Sequence, residues 1–306
     1  MPAFIIWQII SPKLRADAVN KGTDSMKQET IENDELSYSP CRYNGSRMLF
    51  RGPRKRLDMP YICFVGGTET YGKFIERPFP GLVEKAVRQT CVNFGCVNGG
   101  IDVFVKDRAV LDICNQAELT VLQIMGAQNL SNRFYSVHPR RNDRFLRAST
   151  VLQAIYHDVD FSELSFNRHM LGALHAKSLD RFETVIAELR EAWVARMKTL
   201  IGHVGNHCVL LWFSEDQMSD EHWSENPNQL QTDPLFITAT MVEELRPMVR
   251  QIVEVNPSEA AMAQGTRGMF FPTSQERAAT EMMGAECHVE AARALIPAIR
   301  DNLYSI

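Results

Sequence analysis

Five short apolar runs constrain the fold of this chain more than any other feature: residues 61–66 (YICFVG), 91–95 (CVNFG), 120–125 (TVLQIM), 207–213 (HCVLLWF) and 250–255 (RQIVEV). They are too short for ordinary helices and lack the strict polar alternation of a strand with one wet face. Near-continuous hydrophobicity at this length fits strands buried on both faces, as in a parallel sheet. Helical patterns fall between and after them, at 79–89, 103–117, 180–201, 238–249 and 287–303. Pro78 and Pro80 suit the start of the first. In 180–201, Phe182, Val185, Ile186, Leu189, Trp193, Met197 and Leu200 form one apolar stripe. Asp180 reads as its N-cap, and Gly202 sits just past its end. Strand–helix alternation predicts a three-layer α/β/α fold around a five-stranded, mostly parallel, doubly wound sheet.

At 306 residues and 45% hydrophobic content, the chain can bury a sizeable core. Residues 36–306 read as a single domain, with insertions near 127–179 and 214–234 too long to be plain connections. Residues 1–35 read as a polar, disordered or weakly ordered tail, with Met26 an alternative start. The net charge of −4 gives no global basic footprint for nucleic acid. No phosphate-binding loop or dinucleotide fingerprint follows a strand. No apolar run reaches membrane-spanning length. Seven cysteines without metal or redox spacing read as reduced thiols of a cytoplasmic protein. His203 and His207 lack a third ligand, so neither a metal nor another cofactor is expected. The oligomeric state stays open.

Polar turns follow the strands. The first run stops at Gly66-Gly67 and opens into Thr68-Glu69-Thr70. Asn93-Phe-Gly95-Cys-Val-Asn98-Gly99-Gly100 follows the second, and Gly126-Ala127-Gln128-Asn129 the third. His288 lies at the start of the last helix. In a doubly wound sheet, these positions border the binding cleft outside the carboxyl ends of the strands.

These blocks resemble the SGNH/GDSL family of esterases and acyl-group hydrolases, which implies an SGNH/flavodoxin-like sheet. By that resemblance Thr68 stands at the serine nucleophile, and Gly67 replaces the aspartate before it. Gly99 matches the glycine whose N–H is an oxyanion donor. Gln128 falls on the catalytic asparagine, and Asn129 on the acid that follows it. His288 matches the base, with Ala285 where the family keeps an aspartate. From Asp34 onwards, segments such as CRYNGSRMLFRGP and MGAQNLSNRFYSVHPRRNDRF also resemble an uncharacterised alphaproteobacterial family of unknown function.

A threonine hydroxyl needs a neighbouring base to become a nucleophile, and His288 is the expected one. The alternative is that Thr68 caps the following helix and His288 is structural. Gly67, Glu69 and Asn129 are expected to touch substrate. Arg133, Arg140, Arg141 and Arg144 cluster after the third turn, and arginine forks bind anions bidentately. A solvated helix is the alternative for that segment. Together the residues predict a hydrolase or group transferase, acyl or sulfuryl, acting on an anionic small-molecule or carbohydrate-linked substrate. The competing expectation is a non-catalytic member of the fold that binds an anionic glycan or metabolite.

Overall fold

The computed structural model of the chain describes residues 36–220 and 230–304. The expected tail over 1–35 and part of the second insertion, 221–229, lie outside the described residues. All five expected strands form: β1 (Tyr61–Gly66), β2 (Thr90–Gly95), β3 (Leu119–Gln123), β6 (Cys208–Phe213) and β7 (Gln251–Val255). They make one sheet in the order β2-β1-β3-β6-β7, parallel at every ladder. β4 (Tyr135–His138) and β5 (Arg141–Ala148) form a separate antiparallel hairpin inserted after β3.

The sheet is buried on both faces, and its side chains divide by the strand period of two. Ile62 and Phe64 of β1, Leu119 and Val121 of β3, and Val209 and Leu211 of β6 face one core. There they meet Phe79 and Val83 of helix Phe79–Val87, and Ala291, Leu295 and Ile299 of helix Ala285–Tyr304. Cys63, Val65, Leu122 and Leu210 face the other. That core is built on helix Leu179–Val204, whose expected stripe is buried throughout. The expected three-layer α/β fold is therefore the one adopted. Among the described residues, no helix is long and apolar enough to cross a membrane.

Several local expectations change. The pattern over 103–117 is two helices, Ile101–Val105 and Arg108–Asn115. The Asp107 carboxylate accepts the Val110 N–H and restarts the chain as an N-cap between them. The long helix is capped by Ser178, which accepts the Arg181 N–H, so Asp180 lies inside it. It runs through Gly202 and ends at Gly205, where φ is +95°. The helix expected at 238–249 is Ala239–Glu243, followed by a 3-10 turn at Arg246–Met248 that Pro247 suits. The arginine segment is the β4–β5 hairpin, with Tyr135, Val137 and Phe145 buried.

Candidate active site

With β2 on one side of β1 and β3 on the other, the chain reverses its winding direction between β1 and β3. A ligand crevice opens at such a switch point. A cleft of about 490 Å³ lies there, walled by the turns after β1, β2, β3 and β6. Gly67, Thr68, Glu69, Gly99, Gln128 and Asn129 all line it. The turn after β1 is a short helix, Thr68–Tyr71, stopped by Gly72 at φ +71°. A methyl group on Gly66 would run into the Thr70 hydroxyl and the Gln123 side chain. Gln123, at the end of β3, holds this turn in place. Its Oε1 accepts from Gly67 N–H at 3.1 Å, Thr70 N–H at 3.2 Å and the Thr70 hydroxyl at 2.6 Å.

The Thr68 hydroxyl accepts the Asn98 N–H at 2.9 Å and donates to Asn98 Oδ1 at 3.4 Å. Asn98 takes a left-handed conformation, φ +55°, which asparagine tolerates better than most residues. Its amide reaches Asp143 at 3.4 Å. The Gly99 N–H donates to Cys96 O at 2.9 Å, closing its own turn. Burial pushes the Cys96 thiol up to about 11, so no thiolate nucleophile stands beside it.

His288 is fully buried, between the rings of Phe79 and Phe213. Its Nδ1 accepts the Phe79 N–H at 3.3 Å, which leaves the proton of that tautomer on Nε2. Nε2 lies 3.4 Å from Glu69 Oε2. That is ion-pair distance, but the geometry is not that of a formed hydrogen bond. Among the described residues, Thr68 and His288 share no hydrogen bond. The histidine meets the neighbouring carboxylate instead, and Glu69 also lines the cleft.

Gln128 donates from Nε2 to Asp233 Oδ1 at 3.2 Å, while its Oε1 is buried without a partner. Its backbone is fixed by the Tyr135 hydroxyl at 2.7 Å and by Asn167 Nδ2 at 3.0 Å, both bonding to Gln128 O. Trp193, from the long helix, donates to Met125 O at 2.7 Å and holds the start of the same loop. Asn129 Oδ1 accepts from Asn167 at 3.0 Å. Arg168 pairs with Asp233 at 2.7 Å. Desolvation by the enclosing walls raises the Asp233 carboxyl pKa, Glu69 adds to the rise, and Arg168 and Gln128 oppose it. The side chain is nevertheless 66% accessible, so water in the cleft limits the effect of enclosure.

The cleft is acidic. Glu69, Asp143, Glu215, Asp216, Asp233 and Glu281 line it, against Arg168 as the cation among the described lining residues. Arg133, Arg140, Arg141 and Arg144 do not line it. Arg133 pairs with Glu188 at 2.9 Å, and Arg140 and Arg141 are exposed at the hairpin turn. Arg144 stacks at 4.1 Å on Phe166, whose ring borders the cleft. Sequence reasoning missed Gln123, although a lone polar residue near the end of an apolar strand was a usable signal. Asp233 and Glu281 reach the cleft from distant segments and carried no local signal. Among the described residues, no group of three or more His, Cys, Asp or Glu could hold a metal ion.

Three solved structures are similar in outline. A carbohydrate esterase family 2 enzyme with a carbohydrate-binding domain, from Corynascus thermopiles (Myceliophthora fergusii), is 10% identical with a TM-score of 0.40. The match covers 82% of this chain and 69% of that one. A lipase from a goat rumen metagenome is 9% identical, TM-score 0.37, over 78% of this chain and 97% of that one. A gut microbial diltiazem-metabolizing enzyme is 10% identical, TM-score 0.33, over 78% and 46%. At such scores, what the cleft does must be read from its own residues. No curated protein matches the sequence. Residues 26–303 match a domain of unknown function, and the chain belongs to that family, DUF6473.

Proposed function

We propose that the cleft is a hydrolase or group-transfer site for a carbohydrate-linked substrate, and that Glu69 is its proton acceptor. One observation carries this reading: the carboxylate facing the cleft is backed, at 3.4 Å, by a fully buried histidine whose other nitrogen is fixed by a backbone amide. A carboxylate at this position can take a proton from water or from an acceptor hydroxyl as that oxygen attacks an acyl or sulfuryl centre. The bond from that centre to the sugar oxygen then breaks, and the sugar oxygen leaves with the proton Glu69 has taken up. His288 orients Glu69 in this reading and does not itself accept from Thr68. The Thr68 hydroxyl accepts from Asn98 N–H and donates to Asn98 Oδ1 at 3.4 Å, a long bond for which a substrate oxygen can compete. Asn129 supplies an amide contact, and buried Gln128 fixes the wall by donating to Asp233. Six carboxylates repel an anion but accept hydroxyl donors, so the lining favours the sugar part of the expected substrate over an anionic one.

The test is release of acetate or sulfate from acetylated and sulfated methyl glycosides. Glu69→Gln should lose activity most, and Thr68→Val less. The use of Gly99 N–H within its own turn favours one competing reading, a non-catalytic glycan binder. A wild type that binds these glycosides without turnover would establish that reading instead.

A further inference from the structure

A second cavity, of about 330 Å³, is lined by chain neighbours of the Thr68–Asn98 pair. Tyr71, in the same short helix as Thr68, and Val97, next to Asn98, form its near wall. Tyr38, Phe74 and Phe270 add aromatic walls to this half-open pocket, Leu36 and Pro272 further apolar ones, and Gln275 an amide. Its charge is opposite to that of the main cleft. Lys73 is the charged residue among its described lining, with no acid. Lys73 Nζ sits 4.6 Å over the Phe74 ring, and no salt bridge to it is formed among the described residues. Burial lowers the pKa of this ammonium, and no carboxylate among the described residues opposes the shift.

The wall is built at a conformational cost. Phe74 has φ +68°, a strained conformation for a bulky side chain. It is held there because its N–H donates to the Tyr38 hydroxyl at 2.9 Å and its carbonyl accepts from Phe270 N–H at 2.8 Å. These bonds tie together three of the four aromatic residues lining the cavity. Such strain persists where surrounding structure over-determines it, and it clusters at ligand clamps.

We infer that this cavity is a subsite for a hexuronate unit, whose carboxylate pairs with Lys73 and whose ring faces pack on the aromatic walls. The inference rests on the reading of the main cleft as a carbohydrate site. It gives the substrate's charge a place of its own: the acidic group docks beside Lys73 while the reacting group enters the acidic cleft. Apolar walls with a few convergent polar groups are the usual make-up of a small-ligand pocket. A partly dehydrated ammonium pairs more strongly with a carboxylate than one in open water.

The test is isothermal titration of the full chain with D-galacturonate, D-galactose and benzoate. Galacturonate should bind about tenfold or more tighter than galactose, and Lys73→Gln should remove that preference. Lys73→Arg should retain it in large part, and Glu69→Gln should leave it intact. Urea midpoints confirm that each variant is folded. Absence of galacturonate binding, its persistence in Lys73→Gln, or tighter binding of benzoate would each overturn the subsite. The two readings fail separately. Lys73-dependent binding without Glu69-dependent turnover sinks the cleft chemistry alone. Glu69-dependent turnover without Lys73-dependent binding sinks the subsite alone.

Discussion

Gln123 is where the sheet and the cleft are coupled, and replacing it with methionine is the most informative perturbation of the fold. The substitution keeps the length and bulk of the side chain but removes the acceptor. Three donors lose their partner: Gly67 N–H, Thr70 N–H and the Thr70 hydroxyl, at 3.1, 3.2 and 2.6 Å. Gln123 and Thr70 are 7% and 1% exposed, so water cannot readily replace the lost bonds. A buried donor left unsatisfied costs ~1–3 kcal/mol, and the hydroxyl can rotate away from its loss. The two backbone donors alone therefore predict a loss of about 2–6 kcal/mol. That is a large part of the ~5–15 kcal/mol typical of a folded domain. Equilibrium urea unfolding measures it, with an unchanged slope showing that the transition remains comparable. Thr70→Val in the Gln123→Met background deletes a hydroxyl that has already lost its acceptor, so the double variant should lose less than the sum of the singles. A Gln123→Met loss under ~1 kcal/mol, or strict additivity, would refute the argument that this acceptor holds the turn.

Three other predictions use the same unfolding assay. Asp102 is fully buried and is held by Arg196, by Lys106 at 2.7 Å and by Ser131 N–H at 3.1 Å. Asp102→Ala should cost ~3–5 kcal/mol, since it strands its partners. Glu243→Ala, which breaks a half-exposed pair with Arg246, should cost no more than about 1 kcal/mol. The Arg181 hydrogen bond holds the Asp158 carboxyl down to about 2 from 3.8. A carboxyl depressed in the folded state contributes stability above its unfolded value and loses it as pH falls through the folded one. The stability advantage of wild type over Asp158→Asn should therefore be present at about pH 5 and vanish toward pH 2. An advantage that is independent of pH would contradict the assignment.

The sheet was legible because strands buried on both faces leave unbroken apolar runs, and the glycine turns at their ends marked the rim of the cleft. Local competition hid the details. Asp107 stops one helix by capping the next, and Ser178 outcompetes Asp180 for the cap of the long helix. The hairpin was hidden because its arginines mask the alternation of Tyr135, Val137 and Phe145, and the β4–β5 register shifts twice. The cleft residues next to strand ends could be named from sequence. Their pairing could not, because it depends on which ring nitrogen of His288 the Phe79 amide occupies. The cleft's charge was equally invisible. Asp143 lies in the hairpin, Asp216 after β6, Asp233 in the second insertion and Glu281 before the last helix, and only tertiary packing gathers them.

The most direct test of the account is a side-by-side measurement of ester hydrolysis on acetylated methyl glycosides by wild type and Glu69→Gln. The variant keeps the shape of the side chain and removes the carboxylate that His288 backs. Wild type should release acetate, and Glu69→Gln should show a drop of about 100-fold or more in kcat with the urea midpoint unchanged. Equal turnover by the two proteins, or none by wild type, would contradict it.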